Sequence, residues 1–426
     1  MAKARKMTPD ALMTNVISDR EKKGGHAYRT TEHRNHTFGI DIPNLPMQWL
    51  LGGINKLPLG RILAFSGEYG SFKSSLAASI GGWFMTQNGI FVDIDTEGKK
   101  SPTTYESIYF RMDGEELSRS VMEAAETPEE WQDIANTWLA KVKGEGVNNL
   151  PPGDRIPLLI NVDSIIGRAT EAEQTKMQQE GHASERGYAT INNMIKKFMS
   201  GISLIGTSCC VSYITHLKDE QADGSGGPMQ AKKQKELGGT SPGFYATTII
   251  RTSRGKAIDY VDDEGVTVEG YLVKLKGHKV STGPNNRVIY VPYLWRYVDD
   301  VDHPDGFRQE AWFDWNWACG LMIWRMVFDR DWFKESEYAS QLQEVLALKK
   351  AGSKTTPKFE QLATLPEGAY PFVDEDGKRL GEMTPREFGA YVHSCPDLMR
   401  EIQRRVHINL YPDVQEVEHL DYRKRK

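Results

Sequence analysis

The sequence predicts an α/β fold: a central, mostly parallel, twisted sheet flanked by helices, with a small, mostly helical C-terminal region. Three observations predict it. A glycine-containing loop, GEYGSFKSS at residues 67–75, stands between a short apolar run and a helix-compatible stretch. Further apolar runs after it end in polar residues, as parallel strands do at the edge where a ligand binds. Beyond about residue 296 such runs give way to aromatic helical patterning and linker-like composition.

Residues 1–45 form an N-terminal segment, read as a basic tail or polymerisation arm. Lys3, Arg5, Lys6, Arg20, Lys22, Lys23, Arg29 and Arg34 make it locally basic, and the chain also ends in Arg423-Lys424-Arg425-Lys426. Such ends are ordinarily solvated tails. The opening MAKARKMTPDAL has no hydrophobic stretch behind its basic start, unlike a secretory signal. No apolar run approaches the ~20 residues of a membrane helix, so no membrane partner is expected. With 426 residues, 39% apolar and 26% charged, the chain has the composition of a soluble globular protein. Its net charge of −5 does not advertise nucleic-acid binding, but binding depends on where the basic residues lie. Cys209, Cys210, Cys319 and Cys395 show no metal-ligand spacing, and a reducing, intracellular setting follows.

The loop nearly fits the phosphate-binding pattern G-x-x-x-x-G-K-[ST], with Gly67, Lys73 and Ser74 in place and Phe72 where the second glycine belongs. Arg61–Phe65 supplies a strand before it, and Ser75–Ile80 a helix after it whose free N–H groups point at phosphate. Gly67, Glu68, Tyr69, Gly70, Ser71, Phe72, Lys73, Ser74 and Ser75 are therefore candidate nucleotide contacts. Lys73 would reach the β- and γ-phosphates of ATP and Ser74 would hold Mg²⁺. Phenylalanine is tolerable at position 72 if its ring turns away from the nucleotide.

Residues 89–95 read as a buried strand running into Asp95-Thr96-Glu97-Gly98, where Glu97 can polarise an attacking water. Residues 156–162 form another, ending at Asp163, where an acid supporting Mg²⁺ belongs. Residues 209–215 end at His216. Asp262–Gly265 reads as a hairpin turn, and Tyr271–Lys276 and Arg287–Val291 as the last core strands. Trp312–Trp317 opens an aromatic helical segment running to about Phe328; residues 349–358 look like a linker. Thr384-Pro385 with Glu387 starts a final helix. The expected division is an N-terminal segment, a core at 46–295 and a C-terminal region at 296–426.

In order and detail these parts resemble the RecA family of recombinases. The resemblance begins at Leu51-Gly52-Gly53 and Leu57–Ile62 and passes through the loop, Ile94–Gly98 and Leu159–Ser164. It continues to Gly238-Gly239-Thr240 and Phe244-Tyr245-Ala246. Phe72 and His216 depart from the bacterial pattern and are similar to the T4-type phage recombinases. The resemblance implies a RecA-like P-loop ATPase core using ATP and Mg²⁺, with Lys73, Glu97 and His216 catalytic, and Ser74 and Asp163 serving the metal. Tyr105 or Thr104 would contact the adenine, and Lys276 and Lys279 would reach the nucleotide of an adjacent subunit, with one extra residue in their spacing.

It further implies two DNA-binding loops. The first lies at about 168–187, with Arg186 and the following Asn192 and Lys196 as contacts; the second spans 217–240 and carries Lys232, Lys233 and Lys235. Lysines there would neutralise phosphates, although Asp219, Glu220, Asp223 and Glu236 balance them and no aromatic residue is present for base stacking. Expected partners are single-stranded DNA, homologous double-stranded DNA, further copies of the chain in a helical filament, and a loading or mediator protein. The expected place is cytoplasm or nucleoid, or, for a viral chain, the infected cell where phage DNA replicates. Two other readings stand beside recombination: a hexameric RecA-fold motor, and a filament scaffold without strand exchange.

Overall fold

The computed structural model describes residues 18–19, 39–144, 154–166, 169–170, 174, 187–202, 204, 207–219, 234–236, 241–301, 303, 305–328, 370–373, 379–383 and 385–394. A short antiparallel pair, β1 (Gly39–Asp41) and β2 (Lys56–Pro58), brackets α1 (Leu45–Leu50). Then come β3 (Ile62–Gly67), α2 (Lys73–Met85), β4 (Ile90–Asp95), α3 (Pro102–Ile108), α4 (Gly114–Leu117), β5 (Ser120–Ala124) and α5 (Pro128–Gly144). They are followed by β6 (Leu158–Asp163), α6 (Gly187–Gly201), β7 (Cys209–Asp219), β8 (Gln234–Glu236) and α7 (Ser241–Tyr245). A meander of β9 (Thr248–Val261), β10 (Thr267–Val280), β11 (Val288–Asp299) and β12 (Phe307–Phe313) leads to α8 (Trp315–Phe328). The hairpin β13 (Tyr370–Val373)–β14 (Arg379–Met383) and α9 (Pro385–Ser394) complete the described chain.

One 10-stranded sheet organises the molecule, in the order β12-β11-β10-β9-β3-β7-β6-β4-β5, with β8 attached to β7. From β9 through β5 along that order all pairs are parallel; from β9 outward to β12 they are antiparallel. β3 and β6 are buried along their whole length, which is why they read as unbroken apolar runs. Leu63 and Phe65 join the cluster containing Leu76, Ile80 and Phe84 of α2, while Ile62 and Ala64 join Trp131, Ile195 and Phe198 of α5 and α6. Alternate β3 side chains thus feed two cores, one on each face of the sheet.

The large central sheet is mostly parallel to mixed, as an α/β fold requires, with Tyr271–Lys276 and Arg287–Val291 forming pieces of longer antiparallel strands that extend it. Two expectations need correction. The expected core end near 295 falls inside β11, and β12 extends the sheet further. Trp312 and Phe313 belong to β12, facing Leu294 and Tyr293, and do not open the helix. The helix starts at Trp315, after Asp314 accepts the Trp317 N–H at 2.9 Å as a cap. Among the described residues, no helix is long and apolar enough to cross a membrane. Cys209, Cys210 and Cys319 are buried thiols that form no disulfide among the described residues. Residues 349–358 lie outside the described residues.

Candidate functional site

The Gly67–Ser74 loop leaves the sheet between β7 and β9, where Gly67 sits level with His216 on one side and Thr252 on the other. Chain direction decides this placement: β4 follows on one side of β3, and β9 flanks it on the other, so the carboxyl end of β3 opens a crevice. A Cβ on Gly67 would lie 2.5 Å from the Thr252 carbonyl and hydroxyl oxygens, so no other residue fits. Ser71 Oγ lies 2.7 Å from the Glu68 carbonyl and 2.8 Å from Thr252 Oγ1, bracing the turn. Phe72 caps α2 in the left-handed region (φ 63°), a conformation glycine adopts at no cost. Its ring turns into the core, with centroids 4.7 Å from Tyr293 and 5.8 Å from Tyr271. The loop's outer face therefore stays clear of the ring. Glu68, Tyr69 and Gly70 are exposed, while Ser74 and Ser75 are half-buried in the first turn of α2.

Lys73 is buried, and its Nζ donates to the Glu68 carbonyl at 2.7 Å. Burial draws its ammonium below the ordinary lysine value, against the opposing pull of Asp163, Glu97 and Glu68. Glu97 Oε1 lies 3.3 Å from His216 Nε2, and its Oε2 accepts from Lys99 Nζ at 2.6 Å. The His216 hydrogen bond, with help from Lys99 and against burial, holds the Glu97 carboxyl down at about 2. Tyr69 stacks on His216 at 6.4 Å and carries Lys99 over its ring at 5.1 Å, so the exposed loop residue joins the same group.

Behind Glu97 lies a buried polar network that sequence reasoning missed. Lys100 Nζ is 2.7 Å from Asp93 Oδ2 and 2.7 Å from Asp163 Oδ2. Asp93 also accepts from Asn161 Nδ2 at 2.9 Å and from the Tyr105 hydroxyl, and Ser212 donates to Asn161 at 2.8 Å. Burial opposes the Lys100 charge, but the two carboxylates outweigh it and raise its pKa. Ser74 and Asp163 offer Mg²⁺ one hydroxyl and one carboxylate. That donor set fits an ion that brings its own phosphate and water ligands. Among the described residues, no three His, Cys, Asp or Glu side chains converge as a metal cage.

A cleft of about 870 Å³ opens beside the loop, walled by Ser75, Thr104, Tyr109, Tyr293, Trp295 and Arg308, among others. Of the two residues expected near an adenine, Thr104 lines this cleft, whereas Tyr105 directs its hydroxyl to Asp93 and stacks on Tyr109 at 5.9 Å. The aromatic alternation Tyr293–Trp295–Tyr297 on β11 was the available signal for this wall. Arg254 was also missed: its Nη1 is 3.8 Å from where a Gly70 Cβ would stand, and its guanidinium lies 5.0 Å over Tyr271.

Lys276 and Lys279 lie within β10 and not beyond its end. The extra residue of their spacing is His278, taken up where the register shifts between Gly277, opposite Ile250, and Lys279, opposite Ile249. Lys279 Nζ donates to the carbonyls of Gly243 and Phe244, at 3.1 and 3.0 Å. Among the described residues Lys276 has no such partner. Asn192 is half-buried and Lys196 exposed on α6. β7 runs past His216 to Asp219 and pairs with β8, so Lys235 stands in a strand opposite Lys218. Arg186, Lys232 and Lys233 lie outside the described residues.

Set against known proteins, the chain matches no family model and no curated protein.

Proposed function

We propose that the chain is an ATP-dependent DNA recombinase with a RecA-like P-loop core, a DNA-dependent ATPase that forms filaments on single-stranded DNA. In this reading it pairs that strand with homologous double-stranded DNA and exchanges strands. The observation that carries the reading is the Gly67–Ser74 loop: a turn at a strand's carboxyl end, opening on a helix N-terminus, with a buried lysine folded over its backbone. Glu97 just after β4, Asp163 at the end of β6 and His216 within β7 stand around it.

In this reading ATP places its phosphates on the loop amides and Lys73, and its base in the cleft beside Ser75. Ser74 and Asp163 would hold Mg²⁺, which supplies charge neutralisation between the β- and γ-phosphates. Glu97 orients the attacking water once nucleotide loosens its pairing with Lys99. His216, bonded to Glu97 and leading directly along β7 to the 217–240 loop, passes the state of the γ-phosphate to the DNA-contacting segment. A second subunit completes the site through Lys276 or Lys279, and a mediator protein loads the filament.

Negative-stain imaging with single-stranded DNA and a non-hydrolysable ATP analogue, paired with an ATPase assay, tests this. Helical filaments and DNA-stimulated hydrolysis are expected. Closed rings would favour a hexameric motor, and filaments without hydrolysis a scaffold.

A further inference from the structure

Lys100 lies in the short turn between β4 and α3, a place where lysine is ordinarily a solvated charge. Here its side chain is only 10% exposed, and its partners Asp93 and Asp163 are 1% and 7% exposed. The turn is fixed by its own backbone: Asp95 Oδ1 accepts from the N–H groups of Glu97 and Gly98, and Oδ2 from that of Lys100, each at 2.9 Å. Asp93 is fixed independently by Asn161 and Tyr105. The ammonium is therefore held at both ends, at 2.7 Å from one oxygen of each carboxylate. A divalent ion bridging that acid pair would have to stand in the same place.

We propose that Lys100 is a tethered counter-cation that occupies the bridging position between Asp93 and Asp163, so that Mg²⁺ enters the site only together with nucleotide. The inference rests on the nucleotide-binding reading above and adds a positioning residue to it. Two buried carboxylates without a cation would be a strong trap for a divalent ion, because burial removes the water that screens them. One fixed positive charge cancels half of that attraction and leaves Asp163 Oδ1 for the hydration shell of an incoming metal. The phosphates then provide the remaining ligands, and metal binding becomes conditional on ATP.

The test is Mn²⁺ binding to the full chain, followed by loss of the free-ion electron paramagnetic resonance signal. Nucleotide-free wild type should take up no Mn²⁺ stoichiometrically, and a non-hydrolysable ATP analogue should induce uptake. Lys100→Gln should bind Mn²⁺ without nucleotide, at least about tenfold more tightly than wild type. Adding Asp163→Asn should abolish that gain, and Lys100→Arg should behave like wild type. Stoichiometric uptake by nucleotide-free wild type overturns the proposal, even if Lys100→Gln fails to fold. So does a folded Lys100→Gln with unchanged uptake. A wild type that binds no ATP analogue overturns the nucleotide reading instead.

Discussion

Lys73 Nζ donates to the carbonyl of Glu68 at 2.7 Å, so the ammonium of the loop rests on the backbone of the loop itself. In the proposed reading an incoming phosphate would replace one carbonyl oxygen with charged ones, and it would meet a cation already desolvated by burial. Lys73→Ala should therefore weaken ATP binding by about a hundredfold or more, since charge-assisted bonds contribute roughly 1.5–3 kcal/mol each. Calorimetric titration with an ATP analogue measures this. Unchanged affinity would remove the loop from nucleotide binding altogether.

Phe72→Gly sets two effects against each other. Relief of the left-handed conformation gains about 1 kcal/mol, while losing a half-buried ring packed on Tyr293 and Tyr271 costs about 2–3 kcal/mol. The variant should keep ATP binding and lose about 1–2 kcal/mol of stability in urea titration. A more stable variant would mean that the ring contacts contribute nothing.

Glu97→Gln should keep nucleotide binding and slow hydrolysis by at least about a hundredfold. Its pH signature has a definite sign. The folded Glu97 carboxyl is lowered from 4.5 to about 2, so its contribution to stability is present above pH 4.5 and lost as pH falls toward 2. The stability gap between wild type and Glu97→Gln should narrow over that window. A gap that stays constant would show that the His216 and Lys99 contacts do not act on the charge.

Lys99 makes a second, sharper point. A carboxylate titrating near 2 is a poor proton acceptor at neutral pH, and Lys99 at 2.6 Å helps hold it there. Lys99→Met should raise hydrolysis in the absence of DNA by about several-fold, because it removes one of the contacts that keep the carboxylate a weak base. Steady-state phosphate release with and without single-stranded DNA decides it. An unchanged or lower DNA-free rate would make Lys99 a bystander.

Lys276 and Lys279 should separate. Lys279 is bonded to the carbonyls of Gly243 and Phe244, so Lys279→Ala should loosen α7 and lower thermal stability. Lys276→Ala should leave stability intact and remove the stimulation of hydrolysis by single-stranded DNA, because a cation given to a neighbouring subunit acts only in the assembly. Identical behaviour of the two variants would contradict the assignment.

The parallel half of the sheet was legible because β3, β4, β6 and β7 are buried on both faces and end at polar residues. The antiparallel half was not, since strand length there depends on pairing between distant segments, as when Trp312 finds Leu294. Trp312 to Trp317 carries the same aromatic density on both sides of Asp314, and only a hydrogen bond to the Trp317 N–H marks the change from strand to helix. The chemistry divides in the same way. Lys73 and Ser74 are set by local spacing, whereas Lys100 is buried only because β4 and β6 pair side by side, Asp95 level with Asp163. A lysine in a polar turn gives no local sign of that.

His278 sits at a bulge, and a bulge re-aims the side chains on either side of it. The shift in register absorbs it outside the ladder, with Gly277 still opposite Ile250 and Lys279 still opposite Ile249. A deletion of this one codon would keep both partnerships and change chiefly the local twist. The extra residue therefore fixes how Lys279 is turned relative to Lys276, and removing it would re-aim one of the two lysines while the strands stay paired.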